Sequence, residues 1–402
     1  MPPSRSWTGE QVPVTPPIMK VLTVATDGFG GHGGIAQYTR DMLTALCAHP
    51  SMPSIVAVPR VMRFAPEGVP ERLEWVTASV DGRWAYVREV AKAAYRAGPV
   101  DLVICTHIHL LPVALGASRA LRAPLVLFVY GIEAAKPTGK RIVNLLVRYV
   151  DAIVSIRDHT TTRLVGWSGA AHVPKFLLHN PIHLGRYGVG PKAPDLVRRF
   201  GLEGKTTVLT MGRVEETNKG FDEVLEVLSD VRRAIQNVAY VIAGDGYDVP
   251  RLREKARALG VDDCVVFTGL VPEERKADYY RLADAFVMAG RSTDFDRYPL
   301  RFVFLEAMAC GIPVVGPRPE PNDESANEGS LLARQVDPFE PAQLRDAIVQ
   351  AVRLPRAVPP ALESFAYPNF EKKLHRIVDA VLGTRRRVPA VAPAEGHASR
   401  SS

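Results

Sequence analysis

The chain has 402 residues, of which 47% are hydrophobic and 23% charged, and its formal net charge is +7. This length exceeds what one compact core usually holds, so two domains are expected. No apolar run reaches the roughly 18–20 residues that span a bilayer, and the first 18 residues lack the apolar core of a secretory signal. The mild net charge does not indicate nucleic-acid binding. The four cysteines lie far apart without metal-ligand spacing, which predicts reduced core residues in a cytoplasmic protein.

Short apolar runs alternate with amphipathic segments along most of the chain, between two tails (1–17 and 387–402) that are predicted to be disordered. This alternation predicts parallel strands covered by helices on both faces. A first series of strands is predicted at 21–26, 55–59, 102–105, 125–129 and 152–155, and a second at 207–211, 239–243, 265–267, 285–288 and 313–315.

A stretch rich in glycine and proline, around residues 179–191, separates the two series and indicates a linker. The predicted fold class is therefore α/β, with two doubly wound Rossmann-like domains at 18–183 and 184–358, followed by a helical segment at 359–386. Ligands of open α/β sheets bind at the carboxyl ends of the strands, so we expect the active site in a central cleft where both sets of strand ends face each other.

The first strand-to-helix turn is rich in glycine and satisfies the dinucleotide-binding spacing at Gly28, Gly30 and Gly33. Such a turn brings the backbone and a helix N-terminus close to a phosphate. The second strand ends at Pro59-Arg60 without the acidic residue typical of NAD sites, which leaves an NADP site open. A glycine-rich loop without a ligand is the other interpretation.

The second domain opens with two cations at a strand-to-helix junction, Arg213 and Lys219. Beside a helix N-terminus, both would stabilise a leaving diphosphate as it gains charge. Further turns at 243–247 and 269–271 would line a nucleobase pocket through backbone groups, or are simply the turns that such a sheet needs.

Residues 303–316 form the most informative segment: a predicted helix end, a glycine stop and a buried strand opened by Pro313. Glu306 is the one charged residue in this run. A buried carboxylate needs a partner, and a ribose hydroxyl pair would be suitable. The alternative is a helix whose glutamate lies at the solvent edge.

Taken together, these segments resemble the family 4 glycosyltransferases, which have the GT-B fold, over residues 19–383. The resemblance is carried by the motifs at 33–36, 212–220, 243–246, 267–271 and 305–315. It implies an acceptor-side first domain, a nucleotide-sugar-binding second domain, and a C-terminal helix that crosses back onto the first domain.

The resemblance also implies roles for individual residues. Arg213 and Lys219 would act on the donor diphosphate during transfer, and Glu306 would bind the donor ribose. The remaining donor-binding residues implied are Gly33, Gly34, Gly212, Gly244, Leu270, Val271, Tyr298 and Arg301.

One departure from the family pattern concerns the donor sugar. The family usually has a second carboxylate eight residues before the equivalent of Glu306, and this chain has Tyr298 there. Asp294 or Asp296 would substitute, or Tyr298 and Arg301 read the sugar differently, or activity is lost. The Asp-x-Asp at 294–296 also matches a metal pattern of another glycosyltransferase fold, but no metal site is expected.

In the first domain, the resemblance places acceptor-side residues after the third and fourth predicted strands. His107 and His109 follow the third strand, and His109 matches the family's catalytic histidine better. The family's His-Gly after the fourth strand is replaced by Tyr130-Gly131, with Glu133 close behind.

The predicted function is that of a retaining, metal-independent glycosyltransferase without a cofactor, which moves a sugar from a nucleotide-diphosphate sugar to an acceptor hydroxyl in glycan, exopolysaccharide or glycolipid assembly. The expected partners are the nucleotide sugar and a glycan or lipid-linked acceptor, and no nucleic acid. The basic segment 136–150 is either a plain surface helix or a contact with the inner face of a membrane. An NADP-dependent oxidoreductase and an inactive nucleotide-sugar-binding scaffold are the alternatives.

Overall fold

The computed structural model describes residues 19–52, 54–215, 219–291, 301–318 and 331–386. They form two parallel sheets, one of seven strands and one of six. Strands and helices are numbered separately in chain order.

The first sheet has the strand order β3-β2-β1-β4-β5-β6-β7, and every neighbouring pair is parallel. Its strands are β1 Lys20–Ala25, β2 Ser54–Pro59, β3 Leu73–Trp75, β4 Leu102–Cys105, β5 Leu125–Val129, β6 Ala152–Ser155 and β7 Lys175–Leu177. Its helices are α1 Gly34–Ala48, α2 Arg83–Ala97, α3 Leu111–Leu121, α4 Ile132–Ala135, α5 Arg141–Leu146 and α6 Asp158–Ser168.

The second sheet has the order β10-β9-β8-β11-β12-β13 and is also parallel throughout. Its elements begin with α7 Pro194–Phe200 and continue through β8 Thr206–Met211, α8 Phe221–Ala234, β9 Val238–Ala243, α9 Val249–Ala258, β10 Val265–Gly269, α10 Lys276–Arg281, β11 Ala285–Val287, α11 Phe302–Ala309, β12 Val314–Pro317, β13 Arg334–Val336 and α12 Pro341–Ala351. The long helix α13, Tyr367–Arg386, follows.

Both faces of the first sheet are covered, which explains why its central strands are predominantly apolar. In β1, Leu22 and Val24 pack into one core and Val21 and Ala25 into another. Successive side chains of a strand point to opposite faces, so a strand buried on both sides has no polar face. The core on the side of Val21 continues into the second domain and α13.

Three strands lie outside the sequence predictions: β3, β7 and β13. Each has three residues and, like β10, lies at an edge of its sheet. Edge strands are covered less completely, so their sequences lack the continuous apolar run that identifies an interior strand.

The chain crosses between the domains twice, and the two crossings are hydrogen-bonded to each other. The N–H of Ile182 donates to the carbonyl of Phe365 at 2.8 Å, and the N–H of Tyr367 donates to the carbonyl of Ile182 at 2.9 Å. Helix α13 then packs on α1, where the rings of Phe370 and Tyr38 lie 5.5 Å apart. The second crossing therefore returns the chain to the first domain.

All four cysteines are buried and unbonded to one another. Among the described residues, no helix combines the length and the apolar character that crossing a membrane requires.

Candidate active site

The carboxyl edge of the second sheet is built from loops that only glycine allows to pack so closely. Gly244 has φ 144°, and a Cβ there would overlap the carbonyl oxygen of Gly212. The N–H of Gly244 donates to the carbonyl of Gly269 at 3.0 Å. The loops after β8, β9 and β10 are thus joined into one rigid floor, since glycine alone adopts this backbone conformation at low cost.

Arg213 extends from this floor. Backbone bonds fix its loop: the N–H of Val214 donates to the carbonyl of Asp245 and the N–H of Asp248 to the carbonyl of Val214, both at 3.0 Å. The Arg213 side chain itself is 57% exposed, and its ion pair with Glu215 is long, at 3.4 Å. A fixed backbone with a loosely held guanidinium suits an anionic ligand.

Lys219 lies beside Arg213 because Gly220, the residue after it, lets the chain turn tightly into α8. Gly220, the N-cap of α8, has φ 86°, and a Cβ there would lie 2.8 Å from the backbone nitrogen of Ala289. Lys219 Cδ lies 3.9 Å from the position that a Cβ on Gly212 would take. The lysine therefore folds back over Gly212, at the positive end of a 14-residue helix.

Arg301 brings a third cation to the same place. It is the N-cap of α11, and its Nη1 lies 3.9 Å from Sδ of Met288. Met288 Cε in turn lies 3.7 Å from the position of a Cβ on Gly212. Met288 thus links Arg301 to the region of Gly212, where Arg213 and Lys219 lie, and the three cations together can neutralise a diphosphate.

Glu306 lies one turn into α11 and is completely buried. Its Oε2 accepts a hydrogen bond from the Tyr280 hydroxyl at 2.6 Å, and Lys276 Nζ is 3.5 Å from Oε1. Burial raises the pKa of Tyr187, and the nearby charge of Glu306 raises it further. The sequence did not identify these three partners, and the binding of ribose by Glu306 stays a prediction.

The residues predicted to meet the nucleobase lie at the end of β10. Leu270 is 78% exposed, whereas Val271 is partly buried and packs against the core. The bond from Gly244 to Gly269 places them beside the floor around Gly212. The exposed Leu270 side chain offers an apolar surface on which the planar ring of a nucleobase could pack.

The first domain approaches this floor with the N-terminus of α1. A Cβ on Gly33, the N-cap, would lie 3.5 Å from Nη2 of Arg213, and a Cβ on Gly34 would lie 3.6 Å from the ring of Phe302. The carboxyl edges of the two sheets therefore meet across a cleft. The predicted fold class, two doubly wound domains facing a central cleft, is confirmed.

Asp27 lies on the first-domain side of the cleft, and the sequence analysis assigned it no role. Its Oδ1 is buried and makes no hydrogen bond among the described residues. Burial raises its pKa despite the opposing effects of Arg40, Arg63 and Arg213. A buried carboxylate oxygen without a partner is costly, so it indicates a ligand hydroxyl. Its place directly after β1 is the sequence signal that would have identified it.

Tyr130 and Glu133 follow β5 at the same edge. Oε1 of Glu133 accepts hydrogen bonds from the backbone N–H groups of Tyr130 and Gly131. The Tyr130 hydroxyl is buried, and burial raises its pKa; a side-chain hydrogen bond with Thr39 opposes the change, and the nearby charges of Glu133 and Asp27 add to it. This hydroxyl and Asp27 therefore belong to one polar group.

The two histidines differ in their surroundings. His107 is partly buried, and burial lowers its pKa while the charge of Glu133 opposes the change. Its Nδ1 accepts a hydrogen bond from the N–H of His109 at 3.2 Å, and the side chain of His109 is exposed. His107 is therefore close enough to Glu133 to feel its charge, whereas the side chain of His109 faces solvent, and the catalytic role predicted for His109 stays a prediction.

Tyr298, Asp294 and Asp296 lie outside the described residues. Within the described ranges, no group of three or more His, Cys, Asp or Glu side chains is arranged to hold a metal ion.

Comparison with known proteins finds similarity to glycosyltransferases. A family profile described as "Glycosyl transferases group 1" matches residues 205–353. The GDP-mannose-dependent alpha-(1-6)-phosphatidylinositol monomannoside mannosyltransferase of Mycolicibacterium smegmatis is 30% identical over 221 residues, which are 53% of this chain and 57% of that protein. The alpha-monoglucosyldiacylglycerol synthase of Streptococcus pneumoniae is 33% identical over 122 residues, 30% of this chain and 26% of that protein.

This chain spans about half the length of the mannosyltransferase relatives that it matches. Over nearly the whole chain, it shares its fold with Anabaena HepE in complex with UDP: the TM-score is 0.63 at 17% identity, with 92% of this chain and 98% of HepE covered. These comparisons give no support to the NADP-dependent oxidoreductase. The position of Arg60 had left an NADP site open; its Cζ lies over the ring of Tyr86, 5.8 Å from the ring centroid.

Proposed function

We propose, from the match of residues 205–353 to the group 1 glycosyltransferase profile, that this chain transfers a sugar from a nucleotide-diphosphate sugar to an acceptor hydroxyl in glycan, exopolysaccharide or glycolipid assembly. The observation that carries the proposal is the group of three cations, Arg213, Lys219 and Arg301, around Gly212 and opposite Gly33. A diphosphate would fill this space and gain charge-assisted hydrogen bonds from several sides.

The donor would lie along the floor of the second domain. Its diphosphate would contact the three cations and the N-termini of α1 and α8, its ribose would lie toward Glu306, and its base would lie near Leu270 and Val271. The sugar would then project toward the first domain. The positive groups supply the charge that a leaving diphosphate needs, so we propose a metal-independent reaction.

The transfer would retain the configuration of the anomeric carbon. The acceptor hydroxyl would attack this carbon from the face on which the diphosphate leaves, while the carbon–oxygen bond to the diphosphate breaks. One oxygen of the leaving phosphate would take the acceptor proton. Arg213 and Lys219 would stabilise the developing negative charge more strongly in the transition state than in the bound donor, which is the condition for acceleration.

The acceptor would bind on the first-domain side, near Asp27, Tyr130 and His107. Asp27 Oδ1, which has no partner among the described residues, and the buried Tyr130 hydroxyl are the hydrogen-bonding groups that a sugar hydroxyl needs. The relatives named for phosphatidylinositol monomannoside and for diacylglycerol suggest a lipid-linked acceptor. We therefore place the protein in the cytoplasm, in peripheral contact with the inner face of a membrane.

A thermal-shift screen with UDP-, GDP- and ADP-sugars tests the donor assignment. A ligand at about 100 times its dissociation constant adds about 2.7 kcal/mol to the free energy of unfolding. We expect one nucleotide class to stabilise the wild type and not the Arg213→Ala/Lys219→Ala double variant. If no nucleotide sugar stabilises the wild type, the proposal fails.

A second measurement separates the enzyme from an inactive scaffold. With the stabilising donor and no acceptor, an enzyme releases free sugar slowly, because water enters the acceptor site. We expect this release from the wild type and its loss in the double variant. Stabilisation without any release, and without transfer to membrane extracts, would favour the scaffold.

A further inference from the structure

The loop of residues 60–64, which we call the Phe64 loop, lies against the glycine-rich turn at the carboxyl edge of the first sheet. The backbone N–H groups of Arg63 and Phe64 both donate to the carbonyl of Gly30, at 2.9 and 3.0 Å. Gly30 has φ 85°, and a Cβ there would overlap the carbonyl oxygen of Phe64 and the Met62 side chain. Glycine alone permits this conformation and this close approach at low cost, so the loop and the turn form one rigid unit.

Phe64 presents an exposed aromatic ring on the outside of this unit. The residue is 54% exposed, and its ring meets the ring of His32 edge to face, with the centroids 4.5 Å apart. Val61, in the same loop, is 40% exposed. An apolar surface on a fixed backbone suits a ligand, because no loop has to be ordered when the ligand binds.

A polar group without a partner borders the same turn. Oδ2 of Asp27 lies 2.9 Å from the position that a Cβ on Gly31 would take, and Oδ1 makes no hydrogen bond among the described residues. Burial raises the pKa of Asp27, and the nearby charges of Arg40 and Arg63 oppose the rise. Arg63 belongs to the Phe64 loop, which therefore supplies a cation next to this carboxylate. Aromatic surface beside a few polar groups is the usual composition of a small-molecule site.

The glycine-rich turn also connects the Phe64 loop to the proposed donor site. Gly33, the N-cap of α1, comes three residues after Gly30, and three residues span at most about 11 Å. A Cβ on Gly33 would lie 3.5 Å from Nη2 of Arg213. A ligand held between Phe64 and this helix N-terminus would therefore lie on the acceptor side of the cleft.

We propose that Phe64 is a specificity-determining residue for the acceptor, and that the acceptor hydroxyl belongs to a ring polyol, a pyranose or a cyclitol, whose C–H face packs on the Phe64 ring. The inference rests on the proposed glycosyltransferase function and specifies the acceptor class for the same site. The face of an aromatic ring is negative, so it attracts the polarised C–H groups of a sugar ring, while hydroxyls at the rim of the sugar bond Asp27. Glycerol and diacylglycerol have no flat C–H face, so they would lack this ring contact.

Transfer by the full chain, from the nucleotide sugar that stabilises it, tests the acceptor class. The acceptors are methyl and octyl pyranosides of glucose, galactose and mannose, myo-inositol, glycerol and dioctanoylglycerol. We expect at least one ring polyol to be used with a kcat/KM at least about tenfold above that of glycerol and dioctanoylglycerol, since one aromatic contact contributes on this scale.

Two results of this measurement would overturn the inference. One is equal or better use of glycerol or dioctanoylglycerol than of every ring polyol. The other is a wild type that is stabilised by the donor and hydrolyses it, but uses no ring polyol, which would leave the proposed function standing. The absence of both stabilisation and hydrolysis would instead reject the proposed function.

Variants of Phe64 separate the ring from its apolar volume. Phe64→Ala and Phe64→Leu both remove the ring, although leucine keeps apolar bulk, and each should raise KM for the preferred ring polyol about tenfold while kcat changes little. Phe64→Tyr keeps the ring and should keep the wild-type KM. Acceptor-free donor hydrolysis and the melting temperature should stay near those of the wild type, since Phe64 is exposed and lies outside the donor site.

Tyr95→Ala is the matched control, because it also removes an exposed aromatic ring from the first domain. Tyr95 is 90% exposed in the last turn of α2, near the amino edge of the sheet, where Nζ of Lys20 donates to the carbonyl of Ala97 at 3.2 Å. Its KM should equal that of the wild type. An unchanged KM in Phe64→Ala and Phe64→Leu would overturn the inference. A rise in KM for octyl but not for methyl pyranosides would also overturn it, because Phe64 would then contact the alkyl chain.

Discussion

The two edges of the cleft are built in different ways. The second-domain edge is a backbone structure: close-packed loops at Gly212, Gly220 and Gly244 carry cations that are exposed or only partly covered. The first-domain edge is a side-chain structure, in which Asp27 Oδ1 is buried without a partner among the described residues and the Tyr130 hydroxyl is buried as well.

This difference corresponds to what each edge would bind. A diphosphate is the same in every nucleotide sugar, so a fixed backbone and cations that a ligand can reach are sufficient to hold it. An acceptor must be distinguished from other polyols, and buried polar groups do this well because a wrong ligand leaves them unpaired. The comparison predicts that substitutions at the second-domain edge lower both transfer and donor hydrolysis. Substitutions at the first-domain edge should lower only the transfer to the acceptor.

The largest effect is expected from Lys219→Ala. Removal of one preorganised cation from a developing charge should lower the rate of transfer about a hundredfold to a thousandfold, or roughly 2.7–4 kcal/mol. Acceptor-free donor hydrolysis should fall by a similar factor, because both reactions expel the same diphosphate. Initial rates with and without acceptor measure this.

Arg232→Ala is the matched control, since Arg232 forms a surface ion pair with Asp263, where the side chains are 43% and 59% exposed. It should leave both rates unchanged. A Lys219→Ala protein that loses transfer but keeps hydrolysis would break the comparison, because Lys219 would then serve the acceptor alone.

The next effect concerns the backbone floor. Gly244→Ala would force a Cβ into the carbonyl of Gly212 at a φ of 144°, so we expect a loss of about 3 kcal/mol in the free energy of unfolding, from strain and overpacking. Nucleotide-sugar stabilisation should also weaken, since Gly212 lies beneath the cations. Urea unfolding with and without the donor measures both.

Gly260→Ala separates close approach from backbone strain alone. Gly260 has φ 65° and no atom within 4 Å of an added Cβ. It should cost only roughly 1–2 kcal/mol, the penalty for a left-handed residue, and leave donor binding intact. Equal costs at the two positions would show that the floor yields easily and is not the rigid element described above.

The sequence predicted the second edge better than the first. An interior strand is a local signal, since it appears in the sequence as a continuous apolar run. Arg213 and Lys219 are local signals too, because they follow the end of such a strand, where the sheet binds its ligands. The partners of Glu306 are not local: Tyr280 and Lys276 lie 26 and 30 residues away, and only the packing of α10 on α11 brings them together. Asp27 was missed although it follows β1 by two residues, because only the folded chain shows that its Oδ1 has no partner among the described residues.

The smallest effect is expected from Asp27→Asn, on the first edge. Asparagine keeps one carbonyl oxygen but loses the charge, so we expect transfer to fall about tenfold, or about 1.4 kcal/mol. Acceptor-free hydrolysis and nucleotide stabilisation should not change. The contrast with Lys219→Ala, which lowers both reactions, is the sharpest test of the difference between the two edges.

Stability should respond in the opposite direction from activity. Burial raises the pKa of Asp27 above its ordinary 3.8, so the folded protein holds this proton more tightly than the unfolded chain does. The contribution of Asp27 to wild-type stability should therefore decline as pH rises from about 3.8 through the raised pKa, and then level off, which appears as a difference between the wild type and Asp27→Asn. Asp27→Asn lacks this decline, so above that range it should be at least as stable as the wild type, measured by urea unfolding from acid to neutral pH.

Asp81→Asn, at an exposed position, should change neither stability nor rate. An Asp27→Asn protein that is less stable at neutral pH would make Asp27 a structural residue whose partner lies outside the described ranges, rather than a ligand-binding one.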